Sequence, residues 1–117
     1  MSVTATRSTT IVYSGDVTGT ETISAASNAA SPGAIEIKTL SSGANTITVP
    51  TGGSTVTACT IVPPTGNTTS ITLKGISGDT GIRLHNTDPA TVSLDSSTSS
   101  FVLTTGAGIT GVRFYWS

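Results

Sequence analysis

Twenty-five threonines, ten isoleucines and nine valines stand against five leucines, two glutamates, two lysines and no glutamine, and this imbalance restricts the backbone before any motif is considered. Branching at Cβ leaves few rotamers open in a helix, whereas it suits the pleated surface of a strand. A chain so short of straight-chain helix formers is expected to be all β.

Turn-forming residues divide the chain into short pieces. Clusters fall at Ser14-Gly15-Asp16, Ser41-Ser42-Gly43, Thr51-Gly52-Gly53, Pro63-Pro64-Thr65-Gly66-Asn67, Ser77-Gly78-Asp79-Thr80-Gly81, Asn86-Thr87-Asp88-Pro89 and Gly106-Ala107-Gly108. These residues permit positive φ or preset turn geometry, so each cluster is expected to end a strand. The intervals between them are too short for ordinary helices. Residues 34–40 set Ile35 and Ile37 on one side and Glu36 and Lys38 on the other, and residues 46–49 oppose Ile47 and Val49 to Thr46 and Thr48. On this pattern Glu36 and Lys38 mark a wet face, and residues 41–45 form a hairpin loop hinged on Gly43.

The most regular feature is an apolar-x-Leu recurrence at Ile71/Leu73, Ile82/Leu84, Val92/Leu94 and Phe101/Leu103, with successive leucines 11, 10 and 9 residues apart. That is the spacing of short antiparallel strands in a sandwich or small barrel. The closing run, 109–116, puts Val112, Phe114 and Trp116 on one face and Arg113 and Tyr115 on the other, which predicts a final strand docked into the core. Earlier, 8–14 and 16–25 read as strands, and 26–31 as a loop or a single helical turn.

With 117 residues, 24 Val, Ile and Leu residues, Phe101, Phe114 and Trp116, the chain can close one hydrophobic core. The expected architecture is a single antiparallel β-sandwich or small barrel, jelly-roll-like, with about 8 to 10 short strands. It is expected to span 9–117, behind a flexible N-terminal arm at 1–8.

Charged residues make up 9% of the chain, against about 25% in typical soluble domains. Threonine and serine supply the polar face instead, and an uncharged polar surface tolerates close neighbours in an assembly. Five basic and six acidic residues leave no cationic patch, so no nucleic-acid partner is expected. The opening MSVTATRSTT has no apolar core of a secretory leader, and no apolar run approaches the roughly 20 residues of a membrane span, so no membrane partner is expected. Cys59 has no partner cysteine and is expected as a buried, inert thiol.

Candidate chemistry is thin. Asp79-Thr80-Gly81 matches the core triplet of aspartic proteases, in which two carboxylates share a proton. It follows Ser77-Gly78 in place of an apolar strand and precedes nothing helical, so it reads as a turn in which Asp79 bonds local amides. His85 is the one histidine, and with Asp79, Asp88 and Asp95 it shows no metal-ligand spacing and no nucleophile elbow; it reads as a polar partner beside a turn. Glycan stacking needs exposed rings, for which Tyr13 and Tyr115 are the candidates, since Trp116 is expected inside. Asn67-Thr68-Thr69 matches an N-glycosylation acceptor by chance. No catalytic, cofactor-binding or metal-binding residue is assigned, no cofactor is expected, and the chain reads as non-enzymatic.

The stretch ITLKGISGDTGIRLHNTDPATVSLD and the closing FVLTTGAGITGVRFYW resemble small Thr- and Gly-rich β proteins encoded among the virion genes of tailed bacteriophages. The resemblance implies a virion structural protein made in the host cytoplasm. A capsid decoration or cement protein that binds the major capsid protein is favoured, with a tail, baseplate or host-surface glycan-binding module as the alternative. It further implies a homo-oligomer, a trimer being the form that local threefold positions of a shell accept. Its motifs are turn-and-strand patterns, so no functional residue carries over.

Overall fold

A computed structural model of the chain describes residues 4–5, 8–13, 19–24, 28–29, 35–50, 56–95 and 97–117, the segments before residue 35 as backbone alone. All regular structure in them is strand. Among the described residues four strands precede residue 35: β1 (Thr4–Ala5), β2 (Ser8–Tyr13), β3 (Gly19–Ser24) and β4 (Asn28–Ala29). They form two antiparallel ladders, β1 with β4 and β2 with β3. The first eight residues, expected as an arm, therefore contain a paired stretch and the start of β2; the remainder of that arm lies outside the described residues. The expected loop or helical turn at 26–31 contains β4.

Eight further strands build the sandwich: β5 (Ile35–Leu40), β6 (Gly43–Thr48), β7 (Ala58–Val62), β8 (Ile71–Lys74), β9 (Ile82–Leu84), β10 (Ala90–Ser93), β11 (Ser100–Thr105) and β12 (Ile109–Trp116). One sheet has the order β10-β7-β12-β5 and the other β6-β11-β8-β9, all neighbours antiparallel. The pairings nest: β5 with β12, β6 with β11, β7 with β10, β8 with β9. A long hairpin whose tip is the β8–β9 turn has been wrapped so that its successive strand pairs alternate between two layers. This is the strand order of a jelly roll, an eight-stranded double-sheet sandwich.

The core lies between the layers. Leu40, Cys59, Ile61, Val112, Phe114 and Trp116 come from one sheet and Ile47, Ile71, Phe101 and Leu103 from the other, all buried. Strand β12 sits between β7 and β5 and presents Val112, Phe114 and Trp116 inward, as its period-two pattern predicts. Trp116 lies 6.1 Å, ring centre to ring centre, from Phe114 in a stack and 6.2 Å from Phe101 across the layers. Its indole N–H finds no acceptor among the described residues. That omission costs about 1–3 kcal/mol, less than the roughly 4–6 kcal/mol gained by removing 150–250 Å² of aromatic surface from water. Backbone bonds then hold the chain end: the Ser117 carbonyl accepts from the amides of Thr57 and Ala58 at 2.8 and 2.9 Å, and the Ser117 amide donates to Ala58.

Two expectations are corrected. Residues 41–45 do not form a hairpin loop, because β5 and β6 belong to different sheets and never pair. They form a corner, fixed by the Asn45 side chain, which accepts from the Ser41 amide and donates to the carbonyls of Ser41 and Leu103. The faces of β5 are also reversed. Register pairs Glu36 with Phe114 and Lys38 with Val112, so the two charged residues share the inward face and are half-buried, bridged at 3.1 Å. Ile35 and Ile37 face out and are 60% and 71% exposed. Strand β5 is an edge strand, so at the rim of the layer long side chains reach water from the inner face while their stems stay covered. The opposite run, 46–49, behaves as expected, with Ile47 and Val49 buried and Thr46 and Thr48 exposed.

One local device keeps β12 in place on β5. Thr39 faces two residues, Thr110 and Gly111, because the register slips between Ile109 and Val112. Gly111 adopts φ +84°, which a side chain would strain, and the bulge restores Val112 to the inner face.

Deleting residues 112–117 removes three inward side chains from a strand paired on both sides. The truncated chain is expected to lose its cooperative thermal transition altogether; a melt close to the full-length temperature would refute this account of the core. A finer test uses two glycines of the β8–β9 turn. A Cβ on Gly81, at φ +77°, would lie 2.5 Å from the Leu73 carbonyl oxygen, whereas one on Gly78 meets nothing within 4 Å. Gly81→Ala is expected to destabilise by about 2 kcal/mol or more and Gly78→Ala by about 0.5 kcal/mol or less, measured by denaturant unfolding.

Candidate interaction site

The polar residues singled out in the sequence are each occupied in a local turn. Asp79 accepts the Ile76 amide at 3.0 Å while its own amide donates to the Ile76 carbonyl, closing the β8–β9 connection. Asp-Thr-Gly is thus a glycine-flanked turn on an exposed tip. His85 uses Nδ1 to accept the amides of Thr87 and Asp88 at 3.2 and 2.9 Å, the Asp88 carboxylate lying 3.6 Å away. Asp95 accepts the Ser97 hydroxyl at 2.6 Å and the Ser97 amide at 2.9 Å. These bonds, the hydroxyl first, hold its carboxyl below the usual aspartate range. No three His, Cys, Asp or Glu side chains converge among the described residues.

Asn67 is spent in the same way. Its amide group donates to the carbonyls of Thr69 and Asn86 at 2.9 and 2.8 Å and accepts the Thr69 amide, tying the β7–β8 connection to the β9–β10 connection. Of the two tyrosines weighed as sugar platforms, Tyr115 is half-buried on the outer face of β12, its hydroxyl 3.4 Å from the Arg113 guanidinium. Tyr13 lies in β2, whose side chains are outside the described residues.

Among the described residues an apolar cleft is shaped to receive a ligand or partner, and sequence reasoning did not find it. At one open side of the sandwich the edge strands β9 and β10 part and leave a cleft of about 370 Å³. Leu73 of β8, Ile82 of β9, Val92 of β10, Leu94 just beyond it and Phe101 of β11 line it, with Lys74 and Asp79 at the rim. Ile82 is 68% exposed, and Ile76 in the adjoining turn is 67% exposed. The volume lies within the range of sites that hold a small ligand or a partner's side chain. All five apolar lining residues belong to the apolar-x-Leu recurrence read as the spacing of short antiparallel strands. The recurrence does place them on one interior surface, but β9 is three residues long and too short to roof it. The cleft offers apolar contact area together with the charged side chains of Lys74 and Asp79.

The remaining reactive group is sequestered. Cys59 is buried under Trp116 on β7, and burial, with a smaller contribution from the Glu36 carboxylate, pushes its thiol up to about 12. In the unfolded chain the same thiol ionises near 9.0. Between pH 9 and 12 the unfolded form therefore sheds a proton that the native form keeps, so the contribution is complete below pH 9 and is lost as pH rises to 12. Wild type is expected to lose stability more steeply than Cys59→Ala across that window, by on the order of 4 kcal/mol in total. Parallel stability curves would contradict this. A thiol reagent at pH 8 should label the native chain only at the rate of unfolding.

No protein-family model matches the chain, and no curated protein and no solved structure matches it either.

Proposed function

We propose that this chain is a non-enzymatic structural protein of a virion, most simply a decoration protein that binds the shell of a tailed phage. The observation that carries the reading is the nested strand order, an architecture used by viral capsid domains. Three features support it. The polar residues that would do chemistry are consumed in turns. The outer surface carries threonines, two of which, Thr60 and Thr91, pair their hydroxyls at 2.8 Å across β7 and β10. The cleft beside β9 offers a seat for an apolar side chain of a protein partner.

Lectin domains use the same strand order, which keeps a glycan-binding module as the competing reading. The two separate cleanly. Purified protein mixed with mature, undecorated shells is expected to bind saturably and stoichiometrically, and Ile82→Asp, at an exposed position in the cleft, should lower that affinity at least tenfold without changing the melting temperature. Binding to cells or glycans that is lost in Tyr115→Ala, together with indifference to intact shells, would replace the decoration reading with the glycan one.

A further inference from the structure

Strand β5 has one partner, β12, and its other edge is unpaired among the described residues. Natural edge strands usually carry inward charge that repels an incoming copy. Here the inward charges are Glu36 and Lys38, opposite in sign and two residues apart, and the outward residues between and beside them are the exposed Ile35 and Ile37. We infer that β5 pairs with β5 of a second copy, antiparallel, about a twofold axis through Ile37, joining two four-stranded sheets into one of eight. This inference concerns the purified chain and is independent of the virion reading.

The register follows from the residues. With Ile37 opposite Ile37 of the second copy, Glu36 falls opposite Lys38 and Lys38 opposite Glu36, while Ile35 faces Thr39. Directly opposed residues share a face, so the inner face gains a square of alternating charge and the outer face a continuous row of branched side chains. Every neighbouring arrangement is worse. A slip of the axis to Glu36 or to Lys38 opposes two like charges, as does in-register parallel pairing. A one-residue slip opposes each charge to an isoleucine or threonine of the other copy's outer row, and so sets the outer face of one sheet level with the inner face of the other. The charges that bar general edge pairing thus admit one partner, an identical strand in one register. That choice also covers two of the four large apolar side chains that the described surface leaves exposed.

The test uses the full chain. Sedimentation equilibrium is expected to show a monomer–dimer equilibrium that Ile37→Lys abolishes, placing two ammonium groups face to face. Lys38→Glu should raise the dimer dissociation constant at least about tenfold, and the double exchange Glu36→Lys with Lys38→Glu should recover it, since the exchange restores complementarity. Directly opposed strand residues have Cα atoms about 4.5–5.5 Å apart, within disulfide reach. Ile37→Cys should therefore cross-link on mild oxidation, Ile35→Cys should not, and Ile35→Cys combined with Thr39→Cys should. A protein that stays monomeric to millimolar concentration, one that sediments as a trimer, or a cysteine at 37 that fails to cross-link while circular dichroism shows it folded, overturns the inference.

Discussion

The sandwich depends on strand β12. Strand β12 occupies an interior position of its sheet, hydrogen-bonded to β5 on one side and β7 on the other, and it carries Val112, Phe114 and Trp116 into the space between the layers. Neither ladder exists until residues near 116 return to meet strands that begin at 35 and 58. The pairings are therefore long-range, the regime in which loop-closure entropy is met before contacts compensate for it, and slow folding is the expected kinetic consequence. The stacked and tilted contacts of Trp116 with Phe114 and Phe101 make that late closure favourable, and the Ser117 backbone bonds secure it.

Wrapping a hairpin over itself leaves the ends of the strands to be joined by crossings between layers. Of the seven connections among the eight sandwich strands, only β8–β9 joins neighbours in one sheet. The other six are corners, and each needs its backbone polar groups satisfied away from a ladder. Asn45, Asn67, His85 and Asp95 meet that need with side-chain bonds to local amides and carbonyls. This is the physical reason that His85 and Asp95 lie at turns and face no common centre.

The surface is unequal at its two sides. At one, β9 and β10 leave an apolar cleft with an exposed isoleucine on its lip. At the other, β5 shows a charged inner rim and an isoleucine outer row. They are opposite edges of the same molecule, since β10 and β5 bound one sheet from its two ends. Under the proposed reading the two edges serve different contacts, one with an unlike partner and one with an identical copy, without competing for space.

Fold class was legible because branched residues, turn clusters and period-two alternation all act locally and all agree. Strand positions such as 71–74, 82–84 and 101–105 follow from them, and so does the inward face of β12. Three things were not legible. Alternation on β5 separates Ile35 and Ile37 from Glu36 and Lys38 but does not say which side is inside; the register with β12 decided that, by aligning Glu36 with Phe114. A glycine-marked break looks the same at a hairpin and at a corner, so the change of sheet at 41–42 depended on which distant strands β5 and β6 paired with. The cleft exists because β9 is short where the two layers end, a property of how the layers overlap. Sequence by itself determined what each short piece of this chain would be, since side-chain branching and turn chemistry act within a few residues. Only the tertiary structure decided which pieces met, because pairing partners lie up to about eighty residues apart and are selected by the joint packing of both sheets.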